Sequence, residues 1–166
     1  MNRIWNVVPR LALGLFFSAG SMAPAVMAQG RNVPVPSSCT PAVNAKLEQM
    51  IRSKPRGYTE NVMVCGIARK TTVNSGGAHG SHHIILVAVN LPHDGPVAVQ
   101  VAINDSLDGP VSAAPNTPVF AYGQGYITSG ASVAGIHDVH CSTHRTADNG
   151  WVVVAGVKTP ASCPTR

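Results

Sequence analysis

The sequence predicts a mainly β fold: a small, closed or partly closed barrel of five or six short strands with one N-terminal helix. Three observations predict it. Beyond about residue 60 the chain reads as short apolar runs separated by Gly/Pro-rich turns. The cleanest of these runs alternates with the two-residue period of a strand. Ahead of them lies a single segment with helical spacing. Closing the strands into a barrel would remove unpaired edges, and the strand count fits the five-stranded OB type, with a β-sandwich as the competing fold.

The chain of 166 residues opens with MNRIWNVVPR, whose only charged side chains are Arg3 and Arg10. An apolar run, Leu11 to Phe17, follows, then SAGSMAPAVMA with Val26 and Ala28 at the spacing a signal peptidase reads. Ser18, Gly20, Ser21 and Pro24 interrupt the run well short of the roughly 20 apolar residues that span a bilayer. Residues 1–28 are therefore expected to be a cleaved secretory signal. Residues 29–166 are expected to form one domain in the periplasm or outside the cell. That domain keeps ten Lys/Arg against seven Asp/Glu, a net charge of about +3. Its basic residues form short pairs such as Arg69-Lys70 and no stripe, which argues against a dedicated nucleic-acid surface.

Residues 29–39 read as an extended lead-in. Thr40-Pro41 is a helix start, with a hydroxyl cap and proline in the first turn. Val43, Leu47, Met50 and Ile51 recur at helical spacing, and Pro55 and Gly57 end the helix. Strands are expected at 61–73, 82–90, 97–104 and 118–128. Two more follow, in GIHDVHCST and GWVVVAGV, with Asn149-Gly150 as a strong turn signal between them. In the third strand Val97, Val99, Val101 and Ile103 share one face, and Gln100 and Asn104 share the other. Gly76, Gly77 and Gly80 mark a hairpin loop; no GKS or GKT follows, so they are not a phosphate loop.

Cys39, Cys65, Cys141 and Cys163 make an even set in an exported domain, which implies two disulfides. Three pairings are open.

From about Leu47 to Gly156 the chain resembles a bacterial family of small, mostly exported proteins known as a domain of unknown function (number 3465). The resemblance runs through LEQM, VMVCGIA, GAHGSHHIILVAV with His83, VFAYGQGYI, GIHDVHC with His137 and His140, and NGWVVVAG. Where the family has an alanine–histidine–asparagine motif this chain reads VAINDSL, so Ile103 replaces the histidine and Asn104 is kept. The resemblance implies a barrel-like core and no known chemistry.

The seven histidines are the richest chemical feature. Imidazole is a good neutral ligand for zinc, copper or nickel. His83, His137 and His140 form the candidate trio, with Asp138, Cys141 or His144 as a fourth ligand. On a regular strand His137 and His140 would point to opposite faces, so convergence needs a turn or bulge there. A metal-bound water could then hydrolyse an ester or phosphodiester. No HExxH or nucleophile-elbow motif is present, and no catalytic residue is assigned.

A binding reading uses the fourth strand. Phe120, Tyr122, Gln124 and Tyr126 share one face, and exposed aromatics there would stack on bases or sugars. Phe120, Tyr122 and Trp151 are expected in the core and Tyr126 at the surface. Arg69, Lys70 and Arg145 would meet phosphate. Asp105 and Asp108, in a Gly/Pro loop, suit Asx-turns. The leading expectation is an exported, disulfide-stabilised binding module for an oligosaccharide, a nucleic acid or an envelope protein. A metal-dependent hydrolase and a purely structural envelope protein are the alternatives.

Overall fold

The computed structural model describes residues 31–75, 80–144 and 147–164. The expected signal 1–28 and the residues Gly76, Gly77, His79 and Arg145 lie outside them.

A 3-10 turn, Pro41–Asn44, leads into helix α1, Ala45–Ser53. Proline occupies the start as expected, but the Thr40 hydroxyl caps nothing; Thr40 instead offers its carbonyl to the Val43 amide. The helix stops at Lys54, which adopts the left-handed conformation (φ 46°) and returns its amide to the Met50 carbonyl. Pro55 then bars continuation.

Seven strands follow: β1 (Thr59–Asn74), β2 (His82–Leu91), β3 (Gly95–Asn104), β4 (Pro118–Ile127), β5 (Ala134–His137), β6 (Trp151–Val154) and β7 (Val157–Thr159). They form one mixed sheet in the order β1-β2-β3-β5-β4-β6-β7. β1 also pairs with β4, so β1, β2, β3, β5 and β4 make a ring of five strands. All neighbours in the ring are antiparallel except β3 and β5. A one-turn helix, α2 (Asp105–Asp108), leaves β3; its cap is the Asn104 side chain, which accepts from the Ser106 amide at 3.0 Å.

The seventh strand exists because WVVVAGV is not one strand. It folds back at Ala155-Gly156, both at positive φ (51° and 83°), as a two-residue hairpin requires. The Asn149-Gly150 pair makes no such turn. Asn149 bridges to Asn32, and Gly150 lies where any Cβ would come 1.9 Å from the Asp138 carbonyl oxygen.

The ring is filled from the inward rows of its strands: Val62 and Val64; Ile85, Val87 and Val89; Val99, Val101 and Ile103; Val119 and Ala121; Ala134 and Ile136. The alternation read in β3 is the inward row. Each valine or isoleucine of these rows contributes roughly 1.5–3 kcal/mol on burial. Leu47 and Met50 of α1 join this core, and Met50 sulfur occupies the space a side chain at Gly125 would need.

Asn44 holds the helix to the sheet. β1 and β2 diverge beyond the Ile67–Ala88 pair. The Asn44 amide fills the gap, accepting from the Cys65 amide (2.8 Å) and donating to the Cys65 and Asn90 carbonyls (3.1 and 3.0 Å). It acts as one extra peptide unit in the ladder. Glu48, 4 % exposed, does similar work on the β2–β3 turn, accepting from the amides of His93 and Asp94 and from the His93 ring.

A second, smaller apolar cluster lies outside the ring. Trp151, Tyr122 and Val153 pack there with Phe120, Met63, Val33 and Val35, and Trp151 donates to the Val33 carbonyl at 2.9 Å. Two disulfides join Cys39 to Cys65 and Cys141 to Cys163. Among the described residues no helix is long and apolar enough to cross a membrane.

Candidate functional site

The site arises from a division in the sheet. One side of β4 is shared by two partners: Val119–Tyr122 pair with β6, and Gln124–Ile127 pair with β5. Gly123 stands at the split. A Cβ there would lie 2.2 Å from the His137 carbonyl oxygen. The chain turns out of β5 at Asp138, a non-glycine residue at φ 54°, and rejoins the sheet at Trp151. Opposite the excursion, β1 carries a bulge between Thr59 and Val62, with Asn61 also left-handed (φ 61°).

A cleft of about 490 Å³ opens between them. Its described lining includes Glu60, Asp138 and Asp148, the histidines His140 and His144, and Tyr122 and Gln124. A smaller cavity, about 90 Å³, is lined by His82, Asn104, Asp108, His137, Asp138 and His140. Asp138 and His140 line both, and so form the wall between them.

The wall is electrostatically tied. Asp138 Oδ1 accepts from His137 Nδ1 at 3.0 Å and lies 3.6 Å from His140 Nε2. The hydrogen bond from His137, then the polar contact with His140, hold the Asp138 carboxyl far below the usual carboxylate range, against the opposing effect of burial. The same contact with Asp138 raises His140, with burial opposing, and its Nδ1 meets the Cys141 carbonyl at 3.1 Å. Burial pushes the Tyr122 phenol upward, and so does Asp148, which accepts its hydroxyl at 2.7 Å. Gln124 donates to Glu60 across the cleft floor.

Beside the cleft is an aromatic patch. His137 lies between Tyr58 and Tyr126, with ring centroids at 4.7 and 5.3 Å. Tyr126 lies over Gly135, where a Cβ would meet its ring at 2.2 Å, and its hydroxyl accepts from Gln100 at 2.7 Å. Tyr58 is 64 % exposed.

The residues singled out from sequence distribute unevenly over this site. His137 and His140 come together on Asp138 because the chain leaves the strand between them. His83 does not join them: it points with the inward row of β2 and its Nδ1 binds Asp105 at 2.7 Å. Its neighbour His82 faces the small cavity instead. Among the described residues no three His, Cys, Asp or Glu side chains are grouped to hold a metal ion, and the disulfide removes Cys141 as a thiolate ligand. The structure thus does not bring His83 to His137 and His140, and the expected zinc or copper trio is not found among the described residues.

Phe120 and Tyr122 are in an apolar core, but in the cluster outside the ring, because their row on β4 faces outward. Tyr126 is half-buried, and Tyr58 is the exposed ring. Arg69 and Lys70 are exposed on the distal half of β1. Arg69 is six residue steps along the strand from Met63, the partner of Tyr122, which is roughly 20 Å. They are not part of the cleft. Asp105 serves His83, and the Asx role falls to Asn104. Tyr58, Glu60 and Asp148 were not picked out from the sequence; the aromatic directly after Pro55-Arg56-Gly57, in a helix-to-strand turn, was the one available signal.

No family model matches the chain, and no match is found among the curated proteins or the solved structures.

Proposed function

We propose that this protein is an exported binding module of the cell envelope, periplasmic or secreted, that takes a neutral oligosaccharide. The five-strand ring is read as an OB-like barrel, a scaffold whose outer face and loops suit such ligands. The resemblance to the domain of unknown function (number 3465) belongs to the same proposal and assigns no chemistry. Two disulfides support an oxidising compartment.

One observation carries the ligand class: an exposed Tyr58 ring, braced on His137 and Tyr126, beside a cleft lined by carboxylate, amide and imidazole groups. An aromatic face packs against the apolar face of a sugar ring, and carboxylates and amides bind its hydroxyls. A nucleic acid is disfavoured. Three carboxylates and no Lys or Arg stand among the described lining residues, and Arg69-Lys70 is distant. Among the described residues no grouped ligand set supports the metal-dependent hydrolase.

The test is an NMR titration of the mature domain against neutral envelope-type oligosaccharides and, in parallel, against single-stranded DNA. Saturable shifts at Tyr58, Gln124 and Glu60 with a glycan are expected. Tyr58→Ala should weaken binding at least about tenfold, roughly 1.4 kcal/mol, with an unchanged fold. Glycan binding unaffected by Tyr58→Ala, or DNA binding in its place, would overturn the proposal.

A further inference from the structure

Asn149-Gly150 is the only Asn-Gly pair in the chain, and it does not make the turn its sequence announces. The pair has a second chemical character. Glycine has no Cβ to screen its amide, so in a free chain the Gly150 nitrogen reaches the Asn149 carboxamide carbon. That nitrogen gives its proton to hydroxide and attacks Cγ. The new N–C bond closes a succinimide ring, the Cγ–Nδ2 bond breaks, and the amide nitrogen leaves as ammonia after taking a proton from water. Water then opens the ring at either carbonyl, which leaves aspartate or isoaspartate.

The folded loop opposes each of these steps. Gly150 is buried, and its amide donates to the His140 carbonyl at 2.8 Å, so its proton is kept from base. The Asn149 carboxamide is held at both ends: Oδ1 accepts from the Ser142 amide at 3.0 Å, and Nδ2 donates to Asn32 Oδ1 at 2.9 Å. Closing the ring moves that carboxamide and expels Nδ2, against both bonds. The surrounding loop is anchored as well. Cys141 is bridged to Cys163, Asp148 accepts the Tyr122 hydroxyl at 2.7 Å, and the Asn149 amide donates to the Arg31 carbonyl. The fit leaves no slack for a longer chain. Gly150 packs so closely that an added Cβ would lie 1.9 Å from the Asp138 carbonyl oxygen. Isoaspartate puts one extra carbon into the backbone directly before that residue.

We propose that Asn149 is a latent site of spontaneous deamidation, held shut by the anchored loop and open once the loop is released, and that its isoaspartyl product does not regain the native loop. This chemistry needs nothing from the oligosaccharide reading.

Peptide mapping by mass spectrometry follows conversion at Asn149 in warm, mildly alkaline buffer. The native protein is expected to convert at least about tenfold more slowly than the chain unfolded in urea, because only locally opened molecules react. Asn32→Ala removes one of the two bonds on the carboxamide and should speed conversion roughly two- to tenfold, the worth of one hydrogen bond. Cys141→Ser/Cys163→Ser should speed it further. Near-ultraviolet circular dichroism establishes that each variant is folded, and if the bridge variant is not, Asn32→Ala decides alone. The isoaspartyl fraction formed in urea, separated and returned to buffer, should lack the native near-ultraviolet signal. Equal rates in the native and unfolded protein, folded variants that convert no faster than the native chain, or an isoaspartyl fraction with the native signal would overturn the proposal.

Discussion

Asn44 shows how much one side chain can settle. Its amide makes three bonds to backbone groups of β1 and β2 and is almost wholly buried. Asn44→Ala leaves those groups unpaired where water cannot reach, and each such group costs roughly 1–3 kcal/mol. Urea denaturation of that variant is expected to show a loss of about 3 kcal/mol. Glu48 makes a comparable set of bonds with a titrating group. Burial raises its pKa, but the His93 ring, the His93 and Asp94 amides and the Arg52 charge outweigh it, and the net shift is downward. A carboxylate lowered in the folded state stabilises the protein above its ordinary pKa, and the contribution is lost as pH falls through the folded value. Between pH 6 and pH 3 the urea midpoint of the native chain should therefore fall further than that of Glu48→Gln. Neither role was legible in the sequence. An asparagine and a glutamate on a short helix read as solvated polar positions, and only the tertiary approach of β1 and the β2–β3 turn gives them partners. The histidines were legible as chemistry but not as geometry, since strand parity separates His137 from His140 until the chain turns at Asp138.

Strands with long, uninterrupted patterning were readable. β2 and β3 lie within one or two residues of their expected limits, and the inward row of β3 follows from its alternation. The face of β4 was not readable, because Val119 and Ala121 inside and Phe120 and Tyr122 outside are all apolar. At Asn149-Gly150 a turn signal was spent on a different need, close approach of two backbones. At Ala155-Gly156 the true hairpin lacked its usual asparagine. Ala155 holds a left-handed conformation that L-residues with a Cβ resist by roughly 1–2 kcal/mol, and asparagine tolerates it better. Ala155→Asn is expected to raise stability by about 0.5–1 kcal/mol, measured by thermal or urea denaturation, with β6 and β7 unchanged.

For the whole chain, the decisive constraints join distant points. Closing the ring pairs β1 with β4 across the intervening hairpin, and both disulfides fasten terminal segments to that ring or to the cleft loop. Four cysteines announced the bridges, but their pairing depends on where β1 and the turn after β5 lie in space. Cys141–Cys163 spans a sequence separation of 22, for which loop-closure entropy predicts a loss of about 3 kcal/mol when both are changed to serine. The denaturation midpoint of Cys141→Ser/Cys163→Ser, read against the native domain, checks this. Among the described residues the sheet order ends at β7, three residues long, bearing Lys158 and followed by Pro160. At that end a neighbouring molecule seeking to add its own strand finds a short template that carries a lysine. At high concentration the native domain should resist fibrillar self-association, and opening of the β1–β4 seam is the route by which such growth would begin.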